Sequence, residues 1–91
     1  MKNLKLKYYT DPGHGWLAVK RKLVKELNIH NKITLYSYQK GDTVYLEEDC
    51  DASLFMDVAK SVGYEVQVDQ RHYNKTHPIR SYECYVDVYP V

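Results

Sequence analysis

The chain has 91 residues, 44% of them hydrophobic and 27% charged, with 13 basic and 12 acidic side chains for a formal charge of +1. That length suits one small domain spanning residues 1–91, and the near-neutral charge excludes a global field that would draw it onto a nucleic-acid backbone. Apolar runs of only a few residues exclude a membrane-spanning helix, and with no secretory signal visible the expected location is the cytoplasm.

Leu4, Leu6 and Tyr8 alternate with Lys5, Lys7 and Tyr9, which predicts an opening strand. Asp11-Pro12-Gly13 stops it, and Trp16 to Val19 predicts a short returning strand. From Lys20 to Asn28, Leu23, Val24 and Leu27 recur at helical spacing, with Asn28 as a left-handed stop and Ile29 folding back beneath it. Ile33 to Gln39 and Thr43 to Leu46 predict a hairpin turning at Lys40-Gly41-Asp42. A second helix is expected from Asp51 to Val62, with Leu54, Phe55, Val58, Ala59 and Val62 as its apolar stripe, ended by Gly63. Tyr64 to Val68 predicts a further strand, Gln70 to Pro78 a polar loop, and Tyr82 to Tyr89 the last strand. The order β-β-α-β-β-α-β-β implies an α+β fold, with a mostly antiparallel sheet of five or six strands and both helices on one face.

Two segments carry more chemistry than a connection needs. In Asp11-Pro12-Gly13-His14-Gly15-Trp16, the glycines would let backbone N–H groups approach a ligand, and His14 could act as acid, base or metal ligand. The plain alternative is a tight turn with Trp16 anchored in the core. Neither a P-loop nor a dinucleotide fingerprint is present. Glu47-Glu48-Asp49-Cys50-Asp51 places four carboxylates and a thiol together, which is costly without a cation, a helix N-terminus or a basic partner. Asp49 or Asp51 can cap the second helix, whereas capping leaves Glu47 and Glu48 unexplained. A divalent cation joining Asp49 or Asp51 to His14 or His72 is one alternative, but the calcium-loop pattern is missing. No cofactor or metal is assigned.

Gln70 to His77 forms a basic and aromatic stretch in which Arg71, His72 and Tyr73, with Lys75, Arg80 and Tyr82, could touch phosphate or a carboxylate. A solvated loop is the plain alternative. Cys50 and Cys84 fit no CxxC spacing, so two reduced thiols are expected. Ten Tyr against one Phe and one Trp suggest half-wet sheet faces suited to contact.

The series Asp11 to Leu17, Tyr36-Ser37-Tyr38-Gln39, Gly41-Asp42, Tyr45 to Asp51 and Ile79-Arg80-Ser81-Tyr82 resembles small proteins encoded in bacteriophage and prophage genomes. Lys20 departs from that pattern, in which Pro would open the first helix. The resemblance implies a bacterial host cytoplasm and carries no activity and no catalytic residues. The expected function is therefore non-catalytic binding to a host or phage protein. The candidate contacts are Asp11, His14, Trp16, Tyr36, Tyr38, Tyr45, Glu47, Glu48, Asp49, Asp51, Arg71, His72 and Tyr73. A small metal-assisted hydrolase using His14, His72 and the acidic segment is the alternative, and single-strand nucleic-acid binding a weaker one. Dimerisation through an edge strand or a Tyr-rich face stays open. Each reading leans on the glycine-flanked turn and the acidic helix start sharing one rim.

Overall fold

A computed structural model describes residues 2–87. The elements are β1 (Lys2–Thr10), β2 (Gly15–Lys20), α1 (Arg21–Glu26), β3 (Tyr38–Lys40), β4 (Thr43–Glu47), α2 (Asp51–Ser61), β5 (Tyr64–His72) and β6 (Glu83–Cys84). Single 3-10 turns occur at His30–Lys32 and Pro78–Ser81. The six strands form one sheet in the order β5-β1-β2-β4-β3-β6. Every neighbouring pair is antiparallel except β1 and β5, which run parallel. The α+β class and the order of elements are those the sequence predicts.

Strand register sorts the side chains onto two faces. Leu17 lies opposite both Tyr8 and Leu46, and Val19 opposite Val44, so these residues share a face with Leu4 and Leu6. Phe55 and Ala59 from α2, Val24 from α1 and Ile29 cover that face, all at 2% exposure or less. Among the described residues Phe55 is the largest side chain wholly removed from water, and burying such a ring contributes about 2–3 kcal/mol. α1 has no side-chain cap and no acidic residue in its first turn, so packing of Val24 and Leu23 must hold it. Asn28, at φ 59°, ends it, and the Ile29 N–H folds back to the Val24 carbonyl. Gly63, at φ 96°, ends α2 in a conformation that favours glycine.

The opposite face carries Tyr9, Trp16, Ala18, Tyr38 and Tyr45. A strap of residues 73–82 crosses it, bringing His77 to 5.2 Å from the Tyr9 ring and 6.2 Å from Trp16. Tyr82 stands 5.2 Å from Tyr45. Trp16 and Ile79 are fully buried outside the main core. Trp16 thus anchors a second, aromatic cluster and not the aliphatic one.

Several boundaries differ from the sequence reading. Residues 33–37 are turn and not strand, because the buried Asp51 carboxylate accepts from the Thr34 N–H, the Thr34 hydroxyl and the Ser37 hydroxyl. Those bonds curl the segment away from sheet pairing. β5 continues to His72, since Thr10 and its neighbours supply a parallel partner along its whole length. The final strand is only Glu83–Cys84, held to β3 by Gln39, whose amide donates to Glu83 and accepts from the Val86 N–H. The predicted extension over Val88 and Tyr89 lies outside the described residues. Tyr85 leaves the sheet and enters the main core, its hydroxyl donating to the His30 carbonyl.

Candidate functional site

Asp11 follows directly on β1, with its side chain fully buried. Oδ1 accepts from the Gly13 and His14 N–H groups, each at 2.9 Å, which folds the turn. Both oxygens also accept from Arg80, Nε at 2.7 Å and Nη2 at 2.9 Å, and Oδ2 takes the His77 N–H. One carboxylate therefore shapes the turn and latches the strap across Trp16. The Arg80 guanidinium holds the Asp11 carboxyl well below the usual carboxylate range; burial opposes this, and the three backbone N–H groups reinforce it. The space that Gly13 and Gly15 leave is filled from within the chain. Arg80 lies over Gly13, and the Tyr8 hydroxyl over Gly15, so these glycines admit the protein's own side chains where the sequence suggested a ligand.

The acidic segment is mostly accounted for by local structure. Glu47, at the end of β4, accepts from the N–H groups of Asp49, Cys50 and Asp51. Glu47, and not Asp49 or Asp51, is thus the acceptor at the start of α2. Burial pushes its carboxyl up, but the N–H groups of Cys50, Asp49 and Asp51, with His14 across the turn, bring it below its ordinary value. Glu48 accepts the Tyr8 hydroxyl at 3.0 Å. Burial first, and then the Glu48 carboxylate, push the Tyr8 phenol up to about 12. Asp51 faces inward, at 1% exposure. Among the described residues, the Asp49 carboxylate alone of the four has no hydrogen-bond or ion-pair partner.

The glycine-flanked turn and the helix start do meet. His14, Trp16, Leu35, Tyr36, Tyr38, Glu47, Asp49, Cys50 and Arg80 line one cleft of about 420 Å³. Its floor is aromatic: Trp16 meets Tyr38 edge-on at 6.3 Å and His14 at 6.0 Å, with Arg80 Cζ 5.6 Å from the Trp16 ring. Leu35 and Tyr36 stand at the rim, each 74% exposed. Four segments distant in sequence build this cleft; the Asp11 carboxylate fixes the His14 turn and the Arg80 strap, and the Asp51 carboxylate fixes residues 34–37. His14 and Cys50 share it without a hydrogen bond between them, so the paired nucleophile and base of covalent catalysis are not assembled.

Other candidate residues lie elsewhere. Tyr45 borders a separate depression with Lys5, Lys7, Tyr9 and Lys20. Arg71 is paired with Asp69 at 2.8 Å on β5, His72 Nδ1 meets the Thr10 hydroxyl at 2.8 Å, and Tyr73 packs edge-on to His77. The shared metal site of His14, His72, Asp11, Asp49 and Asp51 is therefore not formed. Asp11 and Asp51 are committed to other donors, and His72 is not in the cleft. Among the described residues no group of three His, Cys, Asp or Glu is placed to hold a metal. The cationic surface proposed for single strands is likewise reduced, since Asp69 neutralises Arg71 and Asp11 neutralises Arg80. Leu35 and the strap residues Arg80 and His77 are the features that sequence reasoning missed as parts of this site. A buried Asp in a turn signals a cation partner, but nothing local points 69 positions ahead. No helix among the described residues is long and apolar enough to cross a membrane. No family model, curated protein or solved structure matches the chain.

Proposed function

We propose that the chain is a non-catalytic protein-binding domain, a phage-type accessory factor that engages a host or phage protein in the bacterial cytoplasm. The observation carrying this reading is the pairing of an aromatic-floored cleft with Leu35 and Tyr36 largely exposed to water at its rim. Keeping two large apolar side chains exposed beside a preformed depression forgoes burial energy, and such patches mark contact sites. The partnerless Asp49 carboxylate at the same cleft favours a partner segment that carries a basic side chain beside an apolar one. The resemblance to phage and prophage proteins supports the setting.

The test places a photo-crosslinking amino acid at position 35 in bacteria expressing the chain, with and without Tyr36→Ser and Asp49→Lys. A discrete protein adduct is expected, lost in both variants while the melting temperature holds. Glu47 is unsuitable for this purpose because its loss uncaps α2. Absence of any discrete adduct, or one indifferent to both changes, refutes the reading.

A further inference from the structure

β5 borders the sheet, and among the described residues no strand pairs with its outer side. It is nine residues long, whereas the strand at the other border, β6, has two. It carries neither the proline nor the lysine that commonly blunts an exposed edge. The backbone groups that point outward follow from the parallel ladder. The Lys2 N–H donates to the Gly63 carbonyl at one end, and the Tyr73 N–H to the Thr10 carbonyl at the other. With Lys2 opposite Tyr64 and Thr10 opposite His72, the odd-numbered residues of β5 bond to β1. The N–H and C=O groups of Tyr64, Val66, Val68, Gln70 and His72 therefore project into the open edge.

We propose that a second copy of the chain pairs antiparallel along this edge, about a two-fold axis through Val68. Val68 then faces the partner's Val68, Val66 faces the partner's Gln70, and Tyr64 faces the partner's His72. Every outward residue meets another outward residue, so each engages both its N–H and its C=O. On the other face of the sheet Glu65 meets the partner's Arg71, twice by symmetry, and Gln67 meets the partner's Asp69. Arg71 already bonds Asp69 of its own strand, which holds the guanidinium on that face.

Charge selects this register over its neighbours. Moving the axis to Gln67 sets Glu65 against the partner's Asp69, and moving it to Asp69 opposes two identical carboxylates. Val68, 47% exposed in the single chain, is covered by the pairing. Beside the same edge runs an apolar groove of about 470 Å³ that includes Met56, Tyr64 and Val66. No β5 residue lines the partner-binding cleft, so the two proposals stand or fall separately.

Sedimentation equilibrium of the whole chain tests the pairing. Wild type is expected to show a concentration-dependent dimer. Glu65→Arg alone and Arg71→Glu alone each raise its dissociation constant about tenfold or more, because two attractive contacts become repulsive. An equimolar mixture of the two variants restores association as a heterodimer, since each reversed side chain then meets its opposite. Val68→Pro removes an outward N–H without touching the β1 ladder, so it abolishes the dimer, while far-ultraviolet circular dichroism shows the monomer still folded. A wild type that stays monomeric at its highest soluble concentration overturns the proposal. So does a dimer that neither charge reversal weakens, or a mixture no better associated than its parts.

Discussion

Replacing Asp11 by Asn separates the two tasks of that side chain. Asn retains one carbonyl oxygen, which can keep the bonds from the Gly13 and His14 N–H groups and so preserve the turn. Its amide then faces Arg80 Nε and the His77 N–H, setting donor against donor where Oδ2 accepted both. A hydrogen bond to a charged group is worth about 1.5–3 kcal/mol, but the Arg80 side chain is 33% exposed and water offsets part of its loss. A net destabilisation of about 2–3 kcal/mol follows, or a fall in melting temperature of about 10–20 °C for a domain of this size. The strap should lift from the second aromatic cluster before the main core opens. Trp16 is the only tryptophan and is 2% exposed, so its fluorescence reports on the strap directly. The variant's native emission should shift to the red, while far-ultraviolet circular dichroism stays close to wild type.

The same carboxylate sets an acid limb. Its folded pKa lies below the unfolded value, so its contribution is complete above about pH 4, the ordinary Asp range, and is withdrawn as pH falls further. Wild-type stability should decline through that window more steeply than that of Asp11→Asn. An Asn variant within about 0.5 kcal/mol of wild type, with unchanged Trp16 emission, would show that Asp11 does not latch the strap.

Glu47→Ala should cost about 1–2 kcal/mol in urea denaturation by exposing three N–H groups at the start of α2, whereas Glu48→Gln should stay within about 0.5 kcal/mol. Asp51→Ala removes a buried acceptor from Thr34 and Ser37 and should cost about 3 kcal/mol; combined with Ser37→Ala, the losses should be less than additive, as a double-mutant cycle will measure. The Tyr8 phenol, pushed up to about 12, stabilises the fold below its unfolded value near pH 10, and that stability is lost as pH rises towards 12. Spectrophotometric titration of wild type against Tyr8→Phe should therefore show one tyrosine ionising late, and the Phe variant should have a flatter alkaline limb.

The shared rim of the His14 turn and the helix start was legible because each segment crowds residue types that a connection does not require. Reading their roles was harder. Glu47 looked surplus to capping because its position in a strand hides how far its side chain reaches along the following turn. Asp49 and Asp51, the obvious caps by spacing, instead face solvent and core. The Ile33 to Gln39 alternation had the period of a strand, yet three bonds to Asp51 outweighed it.

Neighbours a few positions apart account for much of this architecture. The alternation of β1 and β4, the apolar stripe of α2 from Leu54 to Ala59, the stops at Asn28 and Gly63 and the resulting α+β class all follow from local periodicity and backbone preference, whereas Val62, which the spacing adds to that stripe, lies past the helix end and is 56% exposed. Tertiary structure alone decided the parallel direction of β5, the reach of Arg80 back to Asp11 and the gathering of Leu35, Tyr36 and Cys50 around Trp16. A period of two is the same in either strand direction, and a buried carboxylate needs a cation without specifying where in the chain it lies. Those choices are made when distant segments compete to satisfy the same buried groups, and no local pattern records the outcome.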